Sequence, residues 1–298
     1  MMESINRKKV LYLYNPASGK GKIEKNLAYI IKEFNRKFGS IEVIRSESKE
    51  HFQKTVEYAC RERYDYLFFS GGDGTFNMVV NSIPDMDILP IFGYLPGGST
   101  CDMSYNVNIS KKPRKGIHDL LNATPKKYNM GQIGDRKFIY VADCGDLNNT
   151  AHITPADAKR KWGNLAYAYY GLKTFFKHFH LHKFIVDGVI YETPLIIISN
   201  SKEVGSFKIN PTTEQGNGEY YLIIVKKGPI KGAFNIAHLF AFGVESAIKN
   251  NKVYCFRSSI FKIDSDTNTW DVDGELAEIE FPVSCGFSGR SINVLTNR

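Results

Sequence analysis

Paired cysteines, long apolar runs and low-complexity tracts are what this sequence lacks. Its five cysteines, Cys60, Cys101, Cys144, Cys255 and Cys285, are odd in number, scattered, and never form a CxxC pair. That argues against a disulfide framework or a zinc site, and makes a reducing cytoplasm the expected setting. No stretch reaches the ~18 uninterrupted apolar residues of a spanning helix. The opening MMESINRKKV has no long apolar segment of the kind a secretory signal needs. The chain is therefore expected neither to cross a bilayer nor to be exported. Without repeats, biased tracts or long linkers, it reads as folded from end to end.

What is there suits a globular protein: 298 residues, 43% of them apolar, 13% aromatic and 23% charged. A chain of that length builds one large domain or two ordinary ones, and two is the expectation. With 39 basic and 31 acidic residues the formal net charge is +8. Such a surface attracts an anion, whether nucleic acid, a phosphate-rich small molecule or an anionic membrane face.

The first half alternates strand and helix. VLYLY at 10–14 runs into NPASGKGK and a helical pattern from Ile23 to Phe38; IEVI at 41–44 precedes a helical stretch around Gln53 to Cys60. YLFFS at 66–70 runs into GGDGT and another helix, and IFGY at 91–94 is followed by PGGST. Strands alternating with helices predict a parallel sheet whose ligand sits at the loops after the strands. After about residue 126 the texture changes to short β-rich segments and tight turns, including an Asp187-Gly188 hairpin signal. Helical patterns interrupt this half near 164–179 and 233–249. The predicted domains are 1–136 with 286–298, a nucleotide-binding α/β domain, and 137–285, a β-rich domain for the substrate.

Three loops carry the candidate chemistry. Gly71-Gly72-Asp73-Gly74-Thr75 follows a continuous apolar strand and opens a helix; glycine admits phosphate oxygens to the backbone N–H groups, and the helix start adds partial positive charge. Asp73 there would order the loop, meet a magnesium ion or contact an acceptor hydroxyl. Asn15, Ser18, Gly19 and Lys20 lie in the loop after the first strand and offer donors and positive charge, without matching the GxxxxGK[ST] pattern. Gly97, Gly98, Ser99 and Thr100 close a third strand. Each loop alone reads equally as a turn; their convergence on one sheet edge is the argument. Far downstream, Asp271, Asp273 and Glu275 flank a glycine turn and supply a candidate base.

Together these residues resemble the diacylglycerol kinase catalytic family, bacterial lipid kinases related to diacylglycerol and sphingosine kinases. The resemblance rests on NPASGKG at 15–21, SGGDGTFNMVVN at 70–81, PGGSTCD at 96–102, WGNLAYAYYGL at 162–172 and DGE at 273–275. It implies a doubly wound α/β nucleotide-binding domain similar to phosphofructokinase and NAD kinase, followed by a second β-rich, mainly antiparallel domain, with the active site between them. It further implies that Asn15, Ser18, Gly19, Lys20, Gly71, Gly72, Asp73, Gly74, Thr75, Asn77, Gly98 and Ser99 hold ATP and its Mg2+. Asp273 would be the general base with Glu275 beside it, and Asp73 its rival for that role. The expected acceptor is a lipid alcohol such as diacylglycerol, met by a cytoplasmic protein transiently at the inner membrane face; nucleic acid is not an expected partner, and a homodimer is left open.

The chain departs from the family pattern at Cys101, which replaces an asparagine, at Met78, which replaces a glutamate, and at Asn217, where an aspartate usually helps hold a structural magnesium. A glycine-rich stretch is replaced by Ala142-Asp143-Cys144-Gly145-Asp146. These changes keep a catalytically weak or inactive nucleotide or lipid sensor as the alternative, with NAD kinase behind it. His178, His180 and His182 alternate as they would on one strand face. The basic groups Lys111, Lys112, Arg114 and Lys115, and Lys159, Arg160 and Lys161, suit anionic lipid heads. The amphipathic 162–178 stretch suits either a lipid-pocket wall or a packed surface helix.

Overall fold

The computed structural model describes residues 8–16, 18–98, 101–145, 180–204, 207–210 and 215–297. The WGNLAYAYYGL stretch, His178, Asp146, Lys159, Arg160, Lys161, Ser99 and Thr100 lie outside them. The chain divides into two compact units, Met1–Tyr128 with Ser291–Arg298, and Asn129–Arg290.

In the first unit β1 (Val10–Tyr14), β2 (Glu42–Arg45), β3 (Tyr66–Gly71) and β4 (Ile91–Pro96) alternate with α1 (Lys22–Lys25), α2 (Leu27–Phe38), α3 (Lys49–Arg61) and α4 (Asp73–Ser82); α5 (Met103–Asn106) and α6 (Pro113–Leu121) follow. The sheet order is β2-β1-β3-β4, every neighbour parallel. The C-terminal SINVL stretch adds to it, with Val294 parallel beside Phe92. β1 is buried at all five residues, as a central parallel strand must be. α2 lays Phe34 against Tyr12 and Phe68, with ring centroids 5.2 and 4.5 Å away. α3 starts where the Ser48 hydroxyl accepts the His51 N–H at 3.0 Å, a side-chain cap. In this order the winding reverses between β1 and β3, which leaves a crevice outside their carboxyl ends.

The chain continues through β5 (Thr124–Ile133), β6 (Arg136–Phe138), β7 (Val141–Gly145), β8 (His182–Val186), β9 (Val189–Thr193), β10 (Leu195–Ser199), β11 (Glu203–Val204), β12 (Phe207–Lys208), β13 (Tyr220–Val225), α7 (Pro229–Lys249), β14 (Val253–Ser258), β15 (Ile260–Ser265), β16 (Thr269–Val272), β17 (Glu275–Glu278) and β18 (Val283–Thr296), of which Asn129–Arg290 is the second unit. Six strands in the order β14-β13-β10-β7-β16-β17 form an antiparallel sheet. Trp270, Tyr220, Phe184 and Phe261 share one buried cluster, drawn from that sheet and from the β8–β15 layer. Asp187 and Gly188, at φ 49 and 84, make the two-residue turn between β8 and β9 that their sequence favours. Among the described residues no helix is long and apolar enough to cross a membrane.

Two carboxylates of this sheet have structural consequences. In β7, Ala142 and Cys144 point into the apolar cluster, so Asp143 points to the other face, directly opposite Asp271 of β16. Loss of solvent, and secondarily the facing Asp271, raises Asp143 well above the ordinary carboxylate range. Asp273, fully buried, sits with Gly274 in the β16–β17 turn at φ 55 and 87. Its carboxylate accepts the N–H groups of Ile139 at 2.7 Å and of Tyr140 and Val141 at 3.0 Å each. The hairpin tip is thereby riveted to the segment entering β7.

A carboxyl whose folded-state pKa is raised stabilises the fold most when protonated, and that contribution fades as pH rises from about 4 toward the folded value. Asp143→Asn removes the like-charge pair, so thermal melts across pH 5 to 8 should show the variant gaining on the parent as pH rises, by up to about 1 kcal/mol. Parallel pH profiles would refute this. Asp273→Asn sets an amide nitrogen among three N–H donors and should cost about 2–4 kcal/mol in urea unfolding; an unchanged midpoint would show that the rivet carries no weight.

Candidate functional site

The three glycine-bearing loops leave their strands at one level. Tyr14 is in register with Ser70, and Ser70 with Leu95, so the segments beginning at Asn15, Gly71 and Pro96 emerge side by side at the carboxyl ends of β1, β3 and β4. Asn15 and Ser18 close a tight turn, Ser18 N–H to Asn15 O at 3.1 Å, and Gly19 and Lys20 follow on the 3-10 turn Ser18–Gly21. A methyl group built on Gly97 would lie 3.3 Å from Ser18 Oγ. The first loop therefore leaves little room for a side chain at Gly97 of the third.

The second and third loops are knotted together through backbone. Gly71 O accepts the Gly97 N–H at 2.7 Å and the Gly98 N–H at 3.1 Å. A Cβ on Gly98 would fall 2.6 Å from Gly72 Cα, a separation no side chain survives, so the close approach requires glycine there. Gly72 caps α4, Asp73, Gly74 and Thr75 form its first turn, and the Thr75 and Phe76 N–H groups return to Gly72 O at 3.1 Å. The start of α4 presents helix N–H groups and the positive end of its dipole to the same crevice. Asn77 lies one turn in, its side-chain oxygen accepting from Asn81 at 3.1 Å.

Asp73 Oδ1 accepts the Met103 N–H at 3.2 Å, which brings it beside Asp102. Burial first, and the Asp102 carboxylate second, push Asp73 up to about 6, against the pull of the Met103 and Asp102 N–H groups. Asp102 is itself buried. Two carboxylates held close in a crevice form an oxygen donor set that fits a hard divalent cation, whose charge would relieve their repulsion. Sequence reasoning passed over Asp102, although it ends the PGGSTCD motif.

In the second unit the acids of the Asp273-Gly274-Glu275 motif lie in different surroundings. Asp273 is buried and its oxygens accept three backbone N–H groups, so it holds the turn in this structure. Glu275, two residues on, is exposed at the start of β17. A methyl on the intervening Gly274 would be 3.6 Å from the Tyr140 hydroxyl, which places that group at the same turn. The stretch weighed for a structural magnesium does not fit one: Glu219 is ion-paired with Arg257, and Asn217 bonds the Glu219 side chain at 3.3 Å and its N–H at 3.0 Å. Among the described residues no group of three or more His, Cys, Asp or Glu side chains could hold a metal, the region of His180 and His182 included.

Residues 9–133 match the family model described as the diacylglycerol kinase catalytic domain. A diacylglycerol kinase of Bacillus subtilis (strain 168) is 25% identical over 274 residues, covering 90% of this chain and 90% of that protein. A diacylglycerol kinase of Staphylococcus aureus (strain MRSA252) is 27% identical over 275 residues, 90% of this chain and 86% of its own length. A crystal structure described as a diacylglycerol kinase from Bacillus anthracis str. Sterne has the same fold, with a TM-score of 0.78 at 20% identity over 97% of both chains. A second structure from that organism gives 0.79 at 19% identity, covering 100% of this chain and 98% of the other. Over about nine-tenths of its length the chain is similar in sequence to these bacterial proteins named diacylglycerol kinases, and it shares the fold of the two solved structures.

Proposed function

We propose that this protein is an ATP-dependent lipid kinase, moving the γ-phosphoryl group of ATP to the hydroxyl of diacylglycerol or a related long-chain lipid alcohol. The kinship with diacylglycerol kinases supports a lipid kinase in general. The observation that carries the finer reading is the meeting of three glycine-bearing loops at the carboxyl ends of adjacent parallel strands, beside two close carboxylates. Phosphoryl transfer needs positioning and charge neutralisation more than covalent chemistry, and these parts supply both.

In this reading residues 1–136 with 286–298 bind the nucleotide and residues 137–285 receive the lipid. Asn15, Ser18, Gly19, Lys20, Gly71, Gly72, Gly74, Thr75, Asn77, Gly98 and Ser99 cradle the phosphates. Asp73 and Asp102 would hold Mg2+, which when bound neutralises the phosphate oxygens. Glu275 takes the proton of the attacking lipid hydroxyl; Asp273 keeps the turn that presents it. Lys111, Lys112, Arg114 and Lys115, around the start of α6, give the protein a basic face for transient contact with the anionic inner surface of the membrane from the cytoplasm.

Incubation with γ-labelled ATP, magnesium and diacylglycerol vesicles should label the lipid, and a chelator should abolish it. Glu275→Gln and Asp73→Asn should each lower kcat by about 10²-fold or more with an unchanged melting temperature. If both variants keep full activity, the assignment of roles is wrong.

A further inference from the structure

One oxygen in the first unit is crowded with donors. Besides the Gly97 and Gly98 N–H groups, Gly71 O receives the Tyr94 hydroxyl at 3.0 Å and the Cys101 thiol at 3.7 Å. Cys101 in turn accepts the Gly98 N–H at 3.1 Å, from a backbone at φ 53 that turns its side chain back into the knot. Both side chains are fully buried. A hydroxyl buried among Phe69 and Phe76, with ring centroids 5.4 and 5.1 Å from the Tyr94 ring, is costly unless it has a partner, and the partner here is the glycine loop.

The consequence follows from peptide geometry. The Gly71 carbonyl and the Gly72 N–H belong to one planar trans unit, so an oxygen pinned on one side fixes the N–H on the other. Donors on the oxygen also polarise that unit and strengthen its N–H as a donor. Gly72 is the cap of α4, where the proposed phosphate cradle begins.

We propose that Tyr94, assisted by Cys101, is a positioning residue for phosphoryl transfer: its hydroxyl latches the Gly71 carbonyl and so sets the aim of the Gly72 N–H in the phosphate cradle. This rests on the nucleotide reading of the three loops. Neither residue touches substrate. Both act through the Gly71–Gly72 peptide, in a part of the chain where Cys101 stands in place of the family's asparagine.

The test is steady-state kinetics with Mg-ATP and diacylglycerol vesicles on Tyr94→Phe, Cys101→Ala and Cys101→Ser, beside melting curves and calorimetric titration of Mg-ATP. Tyr94→Phe keeps the ring and its packing and removes only the latch. It should raise KM and Kd for ATP roughly five- to ten-fold while leaving KM for the lipid unchanged. Cys101→Ala should shift ATP in the same direction, and Cys101→Ser, which keeps a donor, should restore it. Unchanged ATP parameters with a lowered melting temperature would mean that the hydroxyl only fills the core, and the inference fails. Equal rises in both KM values would overturn it too. A parent protein that binds no Mg-ATP removes the nucleotide reading itself, and the latch falls with it.

Discussion

Everything proposed for the first unit depends on one contact of backbone on backbone, the seating of Gly98 against Gly72. A parallel sheet brings loop ends to one level but does not join them; adjacent loops carrying side chains stand apart and are satisfied by water. Here the absence of Cβ at Gly98 lets two main chains approach, and the Gly71 carbonyl then collects donors from the third loop and the strand before it. The result is a run of closely packed backbone with few side-chain degrees of freedom, which costs little further entropy when an anion binds. The start of α4 and the Asp73–Asp102 pair are placed by the same knot, since Asp73 reaches the Met103 N–H only because the third loop lies against the second.

The second unit uses the reverse device. There a side-chain carboxylate organises main chain, with Asp273 gathering three consecutive N–H groups inside a two-residue turn. Both residues of that turn have positive φ, which Asp-Gly accommodates cheaply. Holding the turn rigid fixes where Glu275 leaves the sheet. One acid is buried against backbone and its neighbour is exposed, which separates two carboxylates that look equivalent in DGE.

That equivalence marks the limit of what the sequence could reveal. Glycine spacing after apolar runs was legible because the constraint is local: a strand, a turn without Cβ, and a helix start are written in consecutive residues. The Asp187-Gly188 turn was legible for the same reason. Whether Asp273 faces solvent or its own backbone was not, because the N–H groups that claim it lie more than 130 residues earlier. Tyr94 was hidden differently: inside an apolar run it looks like another core ring, and only the position of Gly71 O makes its hydroxyl matter. Asp102 stood in a quoted motif, yet its proximity to Asp73 depends on two loops meeting.

Two of the departures from the family pattern, Cys101 and Asn217, share a trait. The Cys101 thiol donates to one loop and accepts from the other. Asn217 closes its own turn onto Glu219, whose charge is answered by Arg257. Asp143 instead faces Asp271 in strand register, where loss of solvent, and secondarily the facing carboxylate, raises its pKa. At Cys101 and Asn217 the new side chain is engaged by a neighbour of its own unit, so its polar atoms there have partners. A site decaying after loss of function accumulates substitutions that orphan their neighbours, because nothing selects for the match. Matched replacements around an intact glycine knot instead suit a site still held to a geometry, and they favour a working kinase over a sensor that has kept only the fold.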